Sequence, residues 1–414
     1  MKPLIILIAL SSSLFAELRI VSREISKEPS AFHTAIYAEP QGLRLISGAQ
    51  ASDDNGKTWV ANPLTPNFIQ DLPANYRRVP VTSVLDPRVG CVMHLFIGLD
   101  LPDVDPKISE PPIAQQHYYL RYRVSKDGGR SWLFDERIIQ QGDYDAQHPI
   151  KDVWIGQNAL FLGDRGCIPI ITRDGKILVP AQITLRGENG KLSDPGGGHT
   201  YTDVVVLIGT WTADHHLQWQ VSQRVQADPK LSTRGVVEPT LIQLDDDRLL
   251  MVMRGSNWTG NNGDLIPNPG PNVPRGSKWF AISSDGGLTW TKPEAWAYDD
   301  DQVFYSPSSM STLFRHSTGR IFWAGNILPA NPQGNLPRHP LVIGEVDRKT
   351  LRLIRSSVIT LDQEEPADKK RGRFDLSHFH LLEDRASQEI VITYPRNHNR
   401  YKSREHVLLR LALP

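Results

Sequence analysis

The chain has little cysteine, no net charge and no sequence pattern typical of a long helix. With only 2 cysteines among 414 residues, it can form at most one disulfide. Its 46 basic side chains balance 46 acidic ones, so no overall field attracts nucleic acid or an anionic membrane. No segment has the length and periodicity of a long helix, and no strand-to-helix GxxxxGK[ST] motif is present. These absences disfavour a helical fold and partners such as nucleic acid, a charged membrane or a nucleotide phosphate.

The composition is instead rich in turn-forming residues and in tryptophan. The chain contains 31 glycines, 31 prolines and 10 tryptophans. A neutral chain of this kind suits a loop-rich scaffold that stacks aromatic rings on uncharged or singly charged ligands. Sugars fit that description.

Residues 1–16 resemble a secretory signal peptide. One lysine precedes a short apolar stretch, and small residues lie near Ala16. The stretch is too short to span a membrane, and the alternative interpretation is a buried first strand. We expect one domain over residues 17–414 and a secreted or periplasmic location. In such a compartment Cys91 and Cys167 could pair, although both also fit buried free thiols in strand-entry segments.

One eight-residue pattern, SxDxGxxW, occurs three times. Intact copies span residues 52–59, 125–132 and 283–290, and a weaker copy with His in place of Gly spans 212–219. The pattern suits a tight hairpin turn, in which Asp accepts bonds from backbone N–H groups, Gly adopts positive φ and Trp packs between sheets. Because the copies start at intervals of 73, 87 and 71 residues, they indicate an internal repeat.

Apolar runs recur in phase with these copies. They open at steps of 84, 72, 72 and 69 residues, at Val92, Lys176, Arg248, Arg320 and Glu389. This spacing is typical of a four-stranded sheet repeated around an axis, and the segment around residues 34–59 brings the count to six. The sequence therefore predicts an all-β fold, a six-bladed β-propeller of four-stranded antiparallel sheets.

The two ends of the chain are expected to close the ring. Residues 376–413 contain the pattern of only three strands, and residues 18–22 could supply the fourth. We predict that residues 18–22 pair with the strand near Val407, because that pairing removes an exposed sheet edge. The tryptophans of the three intact repeats are expected near the outer rim, at Trp59, Trp132 and Trp290.

Charged residues mark the inner ends of several units. Arg78 opens the second unit, Glu238 opens the fourth, Arg254 ends the second strand of the fourth, and Arg338 follows the second strand of the fifth. Corresponding positions of successive blades converge on one funnel, where three guanidinium groups would bind a carboxylate by charge-assisted, partly bidentate hydrogen bonds. Each arginine alone also fits an ordinary salt bridge. Together they predict an acidic sugar as the ligand.

These motifs resemble the sialidase (neuraminidase) superfamily over residues 30–413. Arg78-Val79-Pro80 is similar to the family's Arg-Ile-Pro motif, and Glu238 precedes Arg254 by sixteen residues, the spacing of the family's catalytic Glu and second arginine. Arg338 can match the third arginine. The resemblance implies an exo-glycosidase with a carboxylate-binding arginine cluster and a tyrosine nucleophile activated by the Glu.

The tyrosine of that family is missing from its expected place, where Leu376 stands. Tyr305, which opens the preceding unit, could reach the same centre and form a base–nucleophile pair with Glu238. Alternatively, His378 or Asp375 acts under a different mechanism. Tyr305 also fits a half-buried strand tyrosine, and His378 fits an inward-facing structural histidine.

The resemblance also implies a general acid in the loop of residues 100–106, where Asp103 and Asp105 are the candidates, although Asp beside Pro is common in turns. Other loops offer candidate sugar-binding residues, namely His199, Tyr201 and Trp258. His378 and His380 are possible metal ligands on one side of a strand, but no third ligand follows by spacing, so neither a metal nor a cofactor is expected.

The sequence thus predicts a secreted exo-glycosidase resembling sialidases, with an acidic glycan as its partner. The first alternative is another carbohydrate-active enzyme on the same scaffold, such as a uronate-directed hydrolase or lyase that uses His378 or Tyr305. The second alternative is a non-catalytic sugar-binding propeller. An enzyme needs an acid near Asp103 and a nucleophile within reach of Glu238, whereas a binding module needs neither.

Overall fold

The computed structural model describes residues 18–62, 76–101, 114–198, 200–258 and 273–413. Over these residues the chain forms six antiparallel sheets, each built from four strands or from four with one strand divided in two. These sheets are the six blades of a β-propeller, so the predicted fold is confirmed. The α-helices of the described part are two single turns, α1 (Ala114–His117) and α2 (Pro366–Lys369).

The first half of the chain contains the N-terminal strand and three blades. Its strands are β1 (Arg19–Ser26); β2 (Ile36–Tyr37), β3 (Leu45–Ser47), β4 (Gln50–Ser52) and β5 (Val60–Ala61) in blade 1; β6 (Tyr76–Asp86), β7 (Cys91–Asp100), β8 (Tyr119–Ser125) and β9 (Asp135–Arg137) in blade 2; β10 (Leu160–Phe161), β11 (Ile170–Ile171), β12 (Ile177–Thr184), β13 (Thr202–Trp211) and β14 (Leu217–Val221) in blade 3.

The second half contains the remaining three blades. Its strands are β15 (Val237–Gln243), β16 (Leu249–Arg254), β17 (Lys278–Ser283) and β18 (Glu294–Ala295) in blade 4; β19 (Thr312–Arg315), β20 (Ile321–Asn326), β21 (Leu341–Glu345) and β22 (Ile359–Asp362) in blade 5; β23 (Phe374–Leu376), β24 (His380–Glu383), β25 (Ile390–His398) and β26 (Ser403–Ala412) in blade 6.

The ring closes between the two ends of the chain. Strand β1 pairs antiparallel with β26, from Arg19 opposite Ala412 to Ser26 opposite His406, and Ile25 lies opposite Val407. The N-terminal strand is therefore the fourth strand of blade 6, as predicted. Closure in this way covers the edge of β26, which would otherwise expose unpaired backbone groups.

The five apolar runs of the sequence are the second strands of blades 2 to 6. They are almost wholly buried, because each blade packs face to face against both neighbours. Apolar clusters fill all six junctions between adjacent blades. The core is thus shared around the ring, which is how about 400 residues form one domain.

The SxDxGxxW repeats form the turns that lead into the outermost strand of blades 1, 2 and 4. In blade 4, Ser283 Oγ accepts the Gly287 N–H at 3.0 Å, and the Asp285 carboxylate accepts the Thr289 N–H at 3.0 Å. Trp290 donates its indole N–H to the Gly287 carbonyl at 3.0 Å and is 9% exposed. Gly287 has a φ of +94°, which explains the requirement for glycine.

Cys91 and Cys167 are both buried free thiols in the apolar cluster between blades 2 and 3. The second of the two interpretations of the cysteines therefore holds in this structure. Residues 1–16 lie outside the described residues. Within the described part, no helix is long and apolar enough to cross a membrane.

Candidate functional site

The inner strands of several blades are irregular near the propeller axis. In blade 3, residues 162–169 interrupt the inner strand between β10 and β11, and in blade 6 residues 377–379 separate β23 from β24. In blade 4, the pairing of β15 with β16 shifts between Val237 and Thr240. Side chains at such breaks leave the two-residue alternation of a strand, so they can turn toward the axis.

Glu238 lies at the break in blade 4. It adopts a left-handed backbone conformation with a φ of +47°, an uncommon state for a residue with a side chain. Its backbone N–H donates to Gln182 Oε1 at 2.8 Å. Arg254, opposite Val237 on β16, donates from Nη1 to Glu238 Oε1 at 2.5 Å. The other carboxylate oxygen, Oε2, is buried without a hydrogen-bond partner in the described part of the chain.

Arg338 lies beside Arg254, and the same two residues hold both guanidinium groups. Arg254 donates from Nε to Ser308 Oγ at 2.8 Å and from Nη2 to Asn335 Oδ1 at 3.0 Å. Arg338 donates from Nε to the Asn335 carbonyl at 3.2 Å and from Nη2 to the Ser308 carbonyl at 3.3 Å. No hydrogen bond from the described residues engages Nη1 of Arg338. This nitrogen remains available to a ligand.

Lys278 is a third cation close to the Glu238 carboxylate, after Arg254 and Arg338. It lies opposite Arg254 on β17, is 0% exposed, and donates from Nζ to the carbonyls of Ser309 and Pro307. Burial, together with the charge of Arg254, lowers the pKa of Lys278 to about 7. Burial raises the pKa of Glu238, but the charges of Arg254, Arg338 and Lys278 outweigh burial and hold that pKa below its ordinary value.

A second carboxyl group reaches the site from the break in blade 3. Asp164 Oδ2 lies 3.3 Å from Nε2 of His378, which comes from the break in blade 6. Burial and the negative charge of Glu238 raise the pKa of Asp164 above its ordinary value, and His378 opposes this rise only in part. The site therefore contains two carboxyl groups whose pKa values are displaced in opposite directions.

Gly163 is the residue that allows these two carboxyl groups to approach. A Cβ atom at this position would lie 2.3 Å from Gln182 Oε1 and 2.8 Å from Glu238 Cγ. Asp164 and Arg165, which follow it, are the functional candidates that sequence reasoning missed. Both are charged residues within an otherwise apolar inner-strand segment, the same signal that identified Glu238.

Arg78 has no described hydrogen bond or ion pair with this cluster. Its Nη1 donates to Asp100 Oδ1 at 2.5 Å, and Asp100 also accepts from Tyr119 on β8 and Arg137 on β9. The described contacts of Arg78 therefore lie within blade 2 and do not include Arg254 or Arg338, so the convergence of all three arginines stays a prediction. The pairing arises because Arg78 faces the same side of the sheet as Asp100, whose carboxylate is partly buried.

Tyr305 makes no direct hydrogen bond to Glu238. Of the two predicted arrangements, a direct bond or one through a single water, the direct bond is therefore not present. Its backbone pairs with Leu328, and its ring lies under the guanidinium group of Arg275, with 4.1 Å from Cζ to the ring centroid. Ser308, three residues later, is the part of this segment that contacts both Arg254 and Arg338. Leu376 is fully buried and contributes no reactive group.

Of the other predicted site residues, the structure describes two, Tyr201 and Trp258. Tyr201 is buried and donates its hydroxyl to the Ala227 carbonyl at 2.8 Å, so it is a structural residue. Trp258 is half-buried next to Gly334, beside the Asn335 that holds both arginines. Asp103, Asp105 and His199 lie outside the described residues.

His380 bonds the Ala35 carbonyl at 2.8 Å through Nε2. Burial lowers its pKa to about 4. The residues that the structure describes contain no group of three or more metal-ligating side chains. His378 and His380, the possible pair of ligands for which the spacing gave no third, belong to no such group there.

The chain matches the family described as "BNR repeat-like domain" over residues 109–365. No curated protein sequence matches it. A structure from Dyadobacter fermentans of unknown function aligns with a TM-score of 0.54 and 15% identity over 95% of this chain and 99% of that one. A Hadza microbial sialidase aligns with a TM-score of 0.53 and 14% identity over 95% and 66%.

An intramolecular trans-sialidase from Ruminococcus gnavus, in complex with oseltamivir carboxylate, aligns with a TM-score of 0.53 and 11% identity over 95% of this chain and 93% of that one. At such low sequence identities, these structural similarities show a shared fold and nothing more. The family match covers more than half of the chain. The chain therefore belongs to the BNR repeat-like family, and its propeller is similar in fold to those of solved sialidases.

Proposed function

We propose that this protein is a glycoside hydrolase that removes a terminal carboxylate-bearing sugar from a glycan. The observation that carries the proposal is the buried Glu238 carboxylate, whose Oε2 has no hydrogen-bond partner in the described part of the chain. A buried, unsatisfied acceptor is costly unless a ligand supplies a donor. The sialidase-type fold supports a glycosidase scaffold.

Glu238 has the properties of a general base. Arg254, Arg338 and Lys278 keep it ionised by lowering its pKa, and Oε2 can accept a proton from an attacking hydroxyl group. No tyrosine hydroxyl hydrogen-bonds this carboxylate among the described residues, since Leu376 occupies the usual position and Tyr305 lies under Arg275. We therefore assign the attacking group as a water molecule activated by Glu238.

Asp164 has the complementary properties of a general acid. Its raised pKa favours the protonated carboxyl group, which can donate to the oxygen of the leaving sugar. His378, at 3.3 Å from Oδ2, orients the group and can return the proton after each turnover. Asp164 thereby takes the role for which the sequence suggested Asp103 or Asp105.

The arginines would bind the carboxylate of the sugar. Arg338 offers Nη1, and Arg254 is fixed beside it by Ser308 and Asn335, so a ligand meets a cationic surface that needs little reorganisation. A charge-assisted hydrogen bond of this type contributes roughly 1.5–3 kcal/mol. Trp258, next to Gly334, is placed to pack against a sugar ring.

The test is a panel of fluorogenic acidic and neutral glycosides with the purified protein. We expect turnover of an acidic glycoside, and Glu238→Gln should lower kcat by about 100-fold or more. Asp164→Asn should slow substrates with poor leaving groups far more than activated aryl glycosides, because only poor leaving groups need the proton. Glu294→Gln, which alters an exposed carboxylate on β18, serves as the control.

Two further measurements distinguish the alternatives. Attack by water predicts a product of inverted anomeric configuration, visible in the proton NMR spectrum during the first turnovers. Retention would instead indicate a side-chain nucleophile. Binding of acidic sugars without turnover of any glycoside would reject the hydrolase and leave the sugar-binding propeller.

We also propose that residues 1–16 direct secretion. The first strand of the propeller, β1, begins at Arg19, so removal of residues 1–16 leaves every blade complete. Residues 1–16 fused to a reporter enzyme should export it, and replacement of the apolar residues 4–8 by serine should retain it inside the cell. Export of the serine version would contradict the proposal.

A further inference from the structure

A cavity of about 250 Å³ adjoins the site on the side of blades 1 and 2. Its wall includes Arg165, the neighbour of Asp164, and His380, two residues after His378. The opposite wall is formed by the inner strand of blade 2, including Thr82 and Ser83, and by His94. We call this space the Arg165 cavity.

Arg165 is a half-buried cation whose acidic neighbour along the chain is Asp164. No hydrogen bond or ion pair joins its guanidinium group to any described residue, and its Nη1 is buried. Burial lowers its pKa, and the charge of Asp164 opposes this only in part. Burial is also the main cause that lowers the pKa values of His33, His378 and His380, and the positive charge of Arg165 adds to that lowering. A partly buried guanidinium group has lost part of its hydration, so a ligand that forms an ion pair with it would compensate for that loss.

His94 presents a second unsatisfied group in the same cavity. It is 5% exposed, its Nδ1 bonds the Ser83 hydroxyl, and its Nε2 is buried without a partner in the described part of the chain. Burial lowers its pKa to about 3, so the ring is neutral. When Ser83 donates to Nδ1, Nε2 carries the proton, and the cavity then contains donors from both His94 and Arg165.

The size and walls of the cavity favour a sugar over a free ion. Its volume is several times the roughly 30 Å³ that one water molecule occupies in the liquid. Apolar side chains of Ile36, Ile46, Val81 and Ile168 line it alongside the polar groups. An apolar face with a few fixed donors is the usual surface for a sugar ring that carries an anionic substituent.

We propose that the Arg165 cavity is a second subsite that binds the carboxylate or sulfate of the sugar next to the one being cleaved. The inference rests on the proposed function, in which Arg338 binds the first acidic sugar. Asp164 and Arg165 are consecutive residues, so the cavity lies beside the proposed general acid and the two anionic groups would belong to neighbouring sugars. The substrate class is then a glycan with at least two adjacent acidic residues.

The test is a calorimetric titration of the full chain with matched pairs of oligosaccharides. Within each pair one member carries one anionic group and the other carries two, and the pairs contain uronic, sialic or sulfated sugars. Wild-type protein should bind the doubly charged member of one pair at least tenfold more tightly than the singly charged member. Arg165→Met should reduce this ratio at least fivefold, whereas Arg19→Met, which removes an exposed arginine on β1, should leave it unchanged.

Inorganic sulfate is the second arm of the experiment. If sulfate binds in an Arg165-dependent manner and no oligosaccharide pair shows a preference, the cavity is a free-anion site and the inference is wrong. The thermal midpoint provides an independent readout. Without ligand, Arg165→Met should raise it, because a partly buried charge that makes no ion pair with a described residue is removed. A lowered midpoint would show that Arg165 is paired within the protein and would also overturn the inference.

The two proposals fail in different ways. If Glu238→Gln retains turnover on singly charged glycosides, the proposed function is wrong whatever the cavity binds. If Arg165→Met leaves the affinity ratio unchanged while Glu238→Gln is inactive, the proposed function stands and only the second subsite is rejected.

Discussion

Replacement of Lys278 by methionine should change how the stability of the protein depends on pH. Lys278 is 0% exposed, and its pKa is lowered from 10.5 to about 7. Between these two values the unfolded chain binds a proton that the folded protein does not, so the free energy of unfolding rises with pH. Below about pH 7 both states are protonated, and the penalty for burying the charge is constant.

The size of the change in the free energy of unfolding follows from the pKa shift of Lys278. Each pKa unit corresponds to about 1.36 kcal/mol, so between pH 8 and pH 10 Lys278 should contribute an increase of about 2.5 kcal/mol to the free energy of unfolding. Methionine has a similar unbranched shape and no charge, and it should abolish this increase. The variant should therefore be more stable than the wild type near pH 8, by an amount that shrinks toward pH 10.

Urea denaturation at four pH values between 8 and 10 measures this difference directly. Lys230→Met, which removes an exposed lysine, is the control and should leave the pH dependence as in the wild type. Parallel stability curves for wild type and Lys278→Met would refute the reasoning, since they would mean that Lys278 stays charged in the fold. The same variant should raise the pKa of Glu238, so the acidic limb of the kcat/KM profile should move to higher pH.

Three further predictions concern the site and the scaffold. Gly163→Ala should lower kcat/KM at least tenfold, because its Cβ would displace Glu238 and Gln182; wild-type activity would show that the loop adjusts without moving the base. Tyr305→Phe should keep kcat within threefold, because its hydroxyl bonds no site residue, and loss of turnover would return Tyr305 to the mechanism. Asp285→Ala should lower the thermal midpoint by roughly 1–3 °C with kcat unchanged, because it removes the turn bonds to Thr289 on the outer hairpin; an unchanged midpoint would contradict that role.

The sequence by itself determined the scaffold. The SxDxGxxW turns and the apolar second strands are local patterns of a few residues, and their interval of about 70 residues counts the blades directly. Closure through β1 followed from the same count, because the last unit lacked one strand. The approach of Glu238 to Arg254 was also foreseeable, since both lie on one antiparallel pair of neighbouring strands.

The tertiary structure alone decided which side chains reach the axis. Arg78 was expected in the funnel, and the structure pairs its side chain with Asp100 on the next strand, shortly before the pairing of β6 with β7 shifts between Pro80 and Thr82. Asp164 and His378 meet because the inner strands of blades 3 and 6 both break near the axis, and nothing in either segment alone indicates its partner. Side-chain direction at a break depends on backbone angles that a periodic pattern does not contain.

The electrostatics of the site depend on that convergence. Glu238 and Asp164 are both carboxylic acids, and their sequence neighbours do not show which one stays ionised. Glu238 lies among Arg254, Arg338 and Lys278, whereas Asp164 is buried beside a negative charge, and these surroundings displace the two pKa values in opposite directions. Charges from different blades act over a few ångströms at low dielectric, so the chemical roles emerge only once the ring has closed.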